Sequence, residues 1–184
     1  MSGILGEGYS DTLRCSSSAN IEIIVDTDVA LADKEKLTVN AGGLQAAASN
    51  VRSSLASGDV TVQVNAPSAA TANVGALVGS ERYGTIQNSA AHGSITVDGS
   101  SVAYVGGIVG KFDSGYGGMG PIWGIKSTEI KNCYSTGDVQ INRVGELHRG
   151  GISGSGKPEP LKSQWGGGTM SYTLSTPPQK LGAE

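Results

Sequence analysis

Cysteine, aromatic side chains and charge are all scarce in this chain of 184 residues, and each shortage excludes a class of protein. Two cysteines are too few to staple a disulfide scaffold. A formal net charge of −3 with only 13 Lys and Arg leaves no basic footprint, so phosphate-driven nucleic-acid binding is excluded as a main activity. There are two histidines and no HExxH, paired CxxC or calcium-loop pattern. The common metal sites and a zinc-peptidase centre are therefore not expected, and no cofactor is called for. The longest apolar run near the N-terminus is Ile23-Ile24-Val25, far short of a signal h-region or a membrane span. No membrane insertion is expected, and any secretion signal is expected to lie outside this sequence or to have been removed.

Glycine, by contrast, is abundant: its 29 residues are about twice the usual share. It recurs in a pattern. The segment KNCYSTGDVQI (131–141) is echoed by QNSAAHGSITV (87–97), RSSLASGDVTV (52–62) and, more loosely, LRCSSSANIEI (13–23). A second piece precedes each copy, beginning at Gly3, Gly43, Ala76, Gly107 and Gly151. Those starts are 40, 33, 31 and 44 residues apart. Self-similarity at this period implies stacked units too small to bury an apolar side alone, with the longer intervals holding loop insertions.

Aligned, the copies produce columns. Ile21, Val60, Ile95 and Val139 form one; Ile23, Val62, Val97 and Ile141 form another two residues on. β-Branched residues at period 2 predict a strand with one buried face, and these eight residues are the expected core ladder. A glycine column (Gly58, Gly93, Gly137, with Ala19 as the exception) precedes them, which predicts a bend that a β-carbon would oppose. Over 41–57 the apolar spacing of Leu44, Ala48, Val51 and Leu55 also fits a helix, but the alignment with the other copies predicts strand. Stacked coils place equivalent residues about 4.8 Å apart, so Asn88 and Asn132 are placed to form an amide ladder. The expectation is an all-β, parallel, right-handed β-solenoid of about five coils, one domain over 1–184, with long loop insertions in the last two coils.

VGALVG (74–79) and VGGIVG (105–110) are each followed by I-x-N-[SC], supplied by Ile86-Gln87-Asn88-Ser89 and Ile130-Lys131-Asn132-Cys133, and then by a G-x-[IV] strand. This arrangement resembles the GLUG motif repeat. The likeness is close over 74–141 and extends to 41–62. At 3–23 Thr12 and Arg14 replace the Ile and Asn of the motif, and the final copy keeps only RGGISG (149–154). GLUG repeats occur in large secreted or surface-attached microbial proteins, including adhesins and the non-catalytic parts of IgA-specific peptidases. The resemblance implies an extracellular or cell-surface location and a structural or adhesive role. It identifies no ligand.

Chemistry-bearing residues do not converge in the sequence. Asp59 and Asp138 share a register roughly 10 Å apart along the stack, near the upper limit for an inverting glycosidase pair, but each follows a turn glycine and suits the turn itself. GYGGMG (115–120) matches GxGxxG formally, yet Pro121 follows and no helix pattern opens there. His92 falls in a turn register and His148 in a linker, both read as solvated. Cys15 and Cys133 occupy one small-residue column with Ser54 and Ser89, three coils apart at roughly 14 Å, too far for an intrachain disulfide, while an intermolecular one stays open.

No enzyme is expected. The two insertions, 111–129 and the stretch after Gly154, carry Phe112, Tyr116, Trp123 and Trp165, including the single Phe and both Trp of the chain. They are expected either to pack as a lobe or to form a contact surface for a glycan, a surface protein or a second subunit. The functional expectation is an extracellular structural repeat module that self-assembles into, or decorates, a microbial surface layer, fibre or sheath. The alternative is an adhesin module that binds a glycan or host partner through the aromatic loops. Only Met1 and Ser2 precede the first repeat, so self-association through the solenoid ends, or continuation in a longer solenoid, is also expected. Pro177-Pro178 would block pairing at the other end.

Overall fold

Short β-branched runs interrupted every few residues by Gly, Ser or Asn cannot sustain long strands, so the chain forms short strands joined by corners. The structure is a computed structural model that describes residues 3, 5–7, 11–32, 36–48, 50–82, 84–113 and 129–155. These residues contain 21 strands and no helix, and the strands stack into five parallel sheets that run side by side along one axis. The first sheet holds β1 (Leu5–Glu7), β6 (Gln45–Ala48), β11 (Val78–Arg82), β16 (Val109–Asp113) and β21 (Ser153–Ser155). The second holds β2 (Asp11–Leu13), β7 (Asn50–Arg52), β12 (Thr85–Gln87) and β17 (Glu129–Lys131). The third, two residues wide, holds β3 (Ser16–Ser17), β8 (Leu55–Ala56), β13 (Ala90–Ala91) and β18 (Tyr134–Ser135). The fourth holds β4 (Ile21–Asp26), β9 (Val60–Asn65), β14 (Ile95–Asp98) and β19 (Val139–Asn142). The fifth holds β5 (Leu37–Gly42), β10 (Ala70–Gly75), β15 (Val102–Gly106) and β20 (Glu146–Gly150).

Chain order visits the sheets in that sequence and returns, which defines a parallel β-solenoid. The described residues make four complete coils and open a fifth with β21, close to the expected count. The segment 41–57 is strand. Leu13, Arg52, Gln87 and Lys131 are paired in one rung column, and Ile23, Val62, Val97 and Ile141 in another, so the four eleven-residue copies run in register from end to end. Ile21, Val60, Ile95 and Val139 form the neighbouring column. Inside the coils Val60, Val62 and Val97 are fully buried, while Val139 and Ile141 in the last coil are only partly so.

Interval lengths follow from where the corners are long. Residues 27–36 cross from the fourth to the fifth sheet in the first coil, where later coils use 66–69, 99–101 and 143–145. The second long interval is narrower than expected. Lys111, Phe112 and Asp113 still pair with Ser80, Glu81 and Arg82, and Glu129 already pairs with Thr85, so only 114–128 lie between β16 and β17.

Glycine serves two stacking contacts. At the bend column φ is not left-handed; among the described glycines only Gly99 has a positive φ. The constraint is the coil beneath: a Cβ on Gly93 would lie 1.9 Å from the carbonyl oxygen of Gly58, and one on Gly137 1.9 Å from that of Gly93. At the repeat motif the first and fifth sheets approach backbone to backbone. A Cβ on Gly79 would lie 2.6 Å from the Ala41 nitrogen, and one on Gly110 2.3 Å from the Val74 nitrogen. In the first coil Ala19 fills the bend column, and among the described residues no coil lies beneath its Cβ; in the first sheet Ala46 holds the second coil's place, with Gly6 of β1 beneath it.

Candidate functional site

Every coil turns from the second to the third sheet at one residue, and that corner is backbone-strained: Arg14, Ser53, Asn88 and Asn132 all have φ between 50° and 54°. Asparagine tolerates this left-handed conformation best among non-glycine residues. There the amide ladder forms, with Asn132 Nδ2 donating to Asn88 Oδ1 at 3.0 Å. One position further on, the small-residue column is a second ladder. Ser54 and Ser89 donate to the carbonyls of Arg52 and Gln87 at 2.9 Å, and their oxygens accept from the amides of Cys15 and Ser54 in the coil below. Cys133 imitates the serines by directing its thiol at the Lys131 carbonyl, 3.1 Å away. Burial pushes the Cys133 thiol up to about 11, so it stays protonated at neutral pH. Both cysteines are free thiols.

On the third sheet Ser54, Ala56, Ser89 and Ala91 face inward, which leaves Leu55, Ala90 and Tyr134 as an outward column. Leu55 and Tyr134 stand one coil below and one coil above Ala90, which is too short to fill the space between them. The result is an open notch of about 480 Å³, with Asn88 and Asn132 along one side and His92 along the other. His92 Nδ1 is 2.7 Å from Thr136 Oγ1, and its ring meets that of Tyr134 edge-on at 5.5 Å and 62°. Tyr134 is 48% exposed. No residue lining the notch carries a formal charge when His92 is neutral. The strip-like alternation of the copies located the ladder in sequence; the notch escaped it, because only the pairing shows that Ala90 lies between Leu55 and Tyr134.

A second cluster lies on the outer face of the fifth sheet. Asn40, Asn73, Tyr104 and His148 form one column, with Asn73 Nδ2 donating to Asn40 Oδ1 at 2.8 Å and the Tyr104 and His148 rings stacked at 4.6 Å. Lys111 sits 5.5 Å from the Tyr104 ring, and Glu146 Oε1 is 2.8 Å from His148 Nε2. His148 is thus a residue of β20, not of a linker as the sequence was read.

The remaining expected sites are placed as follows. Phe112, expected as a contact residue, is 8% exposed and belongs to the hydrophobic core, because β16 continues through it. Tyr116, Trp123 and Trp165 lie outside the described residues, as do GYGGMG and Pro177-Pro178. Asp59 serves its corner: its Oδ1 accepts the Ser94 amide at 2.8 Å, one coil above, and its own amide donates to Asn20 Oδ1 at 3.0 Å. Among the described residues, no group of three or more His, Cys, Asp or Glu is arranged to hold a metal, and no helix is long and apolar enough to cross a membrane. No protein-family model, curated protein or solved structure matches the chain.

Proposed function

We propose that this chain is an extracellular structural repeat module that decorates a microbial surface layer, fibre or sheath. The observation that carries the reading is the coil-to-coil bonding of its outer faces. Asn50 reaches Asp11 at 2.7 Å, Asn65 reaches Asp26 at 2.8 Å, Asn132 reaches Asn88 at 3.0 Å, and Arg143 grips Asp98 with two bonds of 2.7 and 2.8 Å. These pairs fasten the first coil to the second and the third to the fourth. Asn50 Oδ1 and Asp59 Oδ1 tie the second to the third by accepting the Thr85 and Ser94 amides at 3.0 and 2.8 Å. Together with strand pairing this makes a stiff spacer well suited to presenting loops at a distance from a surface. The likeness of 74–141 to GLUG repeats supports the location. The reading requires no catalytic step and no cofactor.

Self-association through the ends is part of the same proposal, with a restriction. Ala19 opposes a second copy stacking in register beneath the first coil, so polymer growth there needs a shifted or lateral contact. Antibody labelling of intact, unpermeabilised source cells, together with cell fractionation, tests the location. Surface labelling or recovery from the medium is expected. Confinement to the soluble cell interior would overturn the proposal.

A further inference from the structure

We propose that the notch over Ala90 is a carbohydrate subsite that takes one uncharged sugar unit of a glycan. This goes beyond a structural role and uses residues outside the aromatic loops. The ligand class follows from the polar groups that the fold leaves unused. The ladder bond occupies Asn132 Nδ2 and Asn88 Oδ1, so Asn88 Nδ2 and Asn132 Oδ1 remain as one donor and one acceptor at the two ends of the ladder, on adjacent coils. A sugar hydroxyl both donates and accepts, and neighbouring hydroxyls can meet both. The Thr136 contact occupies His92 Nδ1 and leaves Nε2 on the opposite side of the notch.

The apolar part fits the same ligand. Tyr134 offers a half-exposed ring next to the hollow, and Ala90, 8% exposed, forms its floor. A pyranose presents an apolar C–H face and a rim of hydroxyls, which matches an aromatic wall beside unpaired amides. With no formal charge lining the notch, an anionic sugar, a phosphate or an acidic peptide gains nothing electrostatic there. The amides are also preorganised. Left-handed backbone at both asparagines and the bond between their side chains fix the donor and acceptor before a ligand arrives.

The test uses the full chain with short neutral gluco-, manno- and galacto-oligosaccharides and a uronic-acid oligomer, read by saturation-transfer NMR and by amide shift mapping. At least one neutral oligosaccharide is expected to bind and to move the amides of Asn88, Ala90 and Tyr134. Ala90→Leu fills the notch with the side chain already carried by Leu55 in the same column, so the variant is expected to fold, as a thermal melt verifies. It should abolish binding. Tyr134→Ala should weaken it roughly tenfold, the loss of one aromatic contact. Failure of every neutral oligosaccharide to bind would overturn the proposal. So would unchanged binding to a folded Ala90→Leu variant, or a preference for the uronic-acid oligomer. Each of these results leaves the surface location, tested by cell labelling, standing.

Discussion

At the first coil the bend column holds alanine, Ala19, in place of glycine, and the core column of Val51, Ile86 and Ile130 holds Thr12. At the last coil the glycine columns are intact, with Gly137 and Gly154, but core columns turn polar. Arg149 follows Ala41, Val74 and Val105, and Ser153 follows Val78 and Val109. The two ends therefore limit stacking by different means. Below the first coil an added coil in the same register would meet the Ala19 methyl group where Gly58 and Gly93 leave room for a carbonyl; a Cβ at those two positions would approach to 2.1 and 1.9 Å. Above the last described coil that contact would fall on the added coil's own residue. Arg149 instead keeps charge at a position that another coil would have to bury, at a cost of several kcal/mol unless it is paired.

The comparison can be broken most forcefully in the core. Val62 is fully buried and Ile23, its partner one coil below, only partly. Val62→Asp leaves an unpaired charge inside and is expected to cost about 3–5 kcal/mol or to prevent folding. Ile23→Asp, at the open end, should cost less than half as much. Urea midpoints of the two variants check this; equal losses would show that the first coil is as enclosed as the second.

Next in size is the glycine column. Gly93→Ala drives a methyl group into the Gly58 carbonyl and should cost about 2 kcal/mol. Ala19→Gly removes a methyl group that meets no described coil and should stay within about 1 kcal/mol, the ordinary difference in chain entropy. Thermal melts of both variants sharpen the steric account, and a harmless Gly93→Ala would end it.

The smallest expected effect is at an exposed corner. The double hydrogen bond from Arg143 lowers the Asp98 carboxyl below its ordinary 3.8, with desolvation opposing it and the Arg143 charge reinforcing it. The folded state thus favours the ionised form. Its contribution is present above pH 3.8 and fades as pH falls through the lowered folded value. Melting curves of wild type and Arg143→Ala should separate slightly above about pH 4 and converge in stronger acid. The opposite order would assign the bond no role.

Most of the stack was legible because stacking repeats each chemical requirement once per coil. Four copies of one constraint make the valine and isoleucine columns, the glycine columns and the Asn88–Asn132 pair visible without a structure. Features that occur once were not legible. Phe112 looked like part of a loop because nothing in its neighbourhood shows that β16 runs on to Asp113. The bend glycines were legible as places that a β-carbon would oppose, but not what opposes it: a carbonyl one coil away, a contact between residues 35 or more positions apart. Gln45 runs against its column: it is fully buried where the next two coils carry Val78 and Val109, and its amide has no partner among the described residues. Such a group costs stability, and a sequence rule would have placed it outside.

The register of the coils is the central claim, and spin labels on the outer face of the fourth sheet test it most directly. Glu22, Thr61, Thr96 and Gln140 stand in one rung column there. Pairs of labels at 61 and 96, at 61 and 140, and at 22 and 140 should show separations that lengthen by one strand spacing per coil, about 5, 10 and 14 Å between the backbones. A steady increase in that order is the predicted result. A 22–140 pair as close as the 61–96 pair, or a 61–96 pair too far apart to couple strongly, would contradict the stacked register.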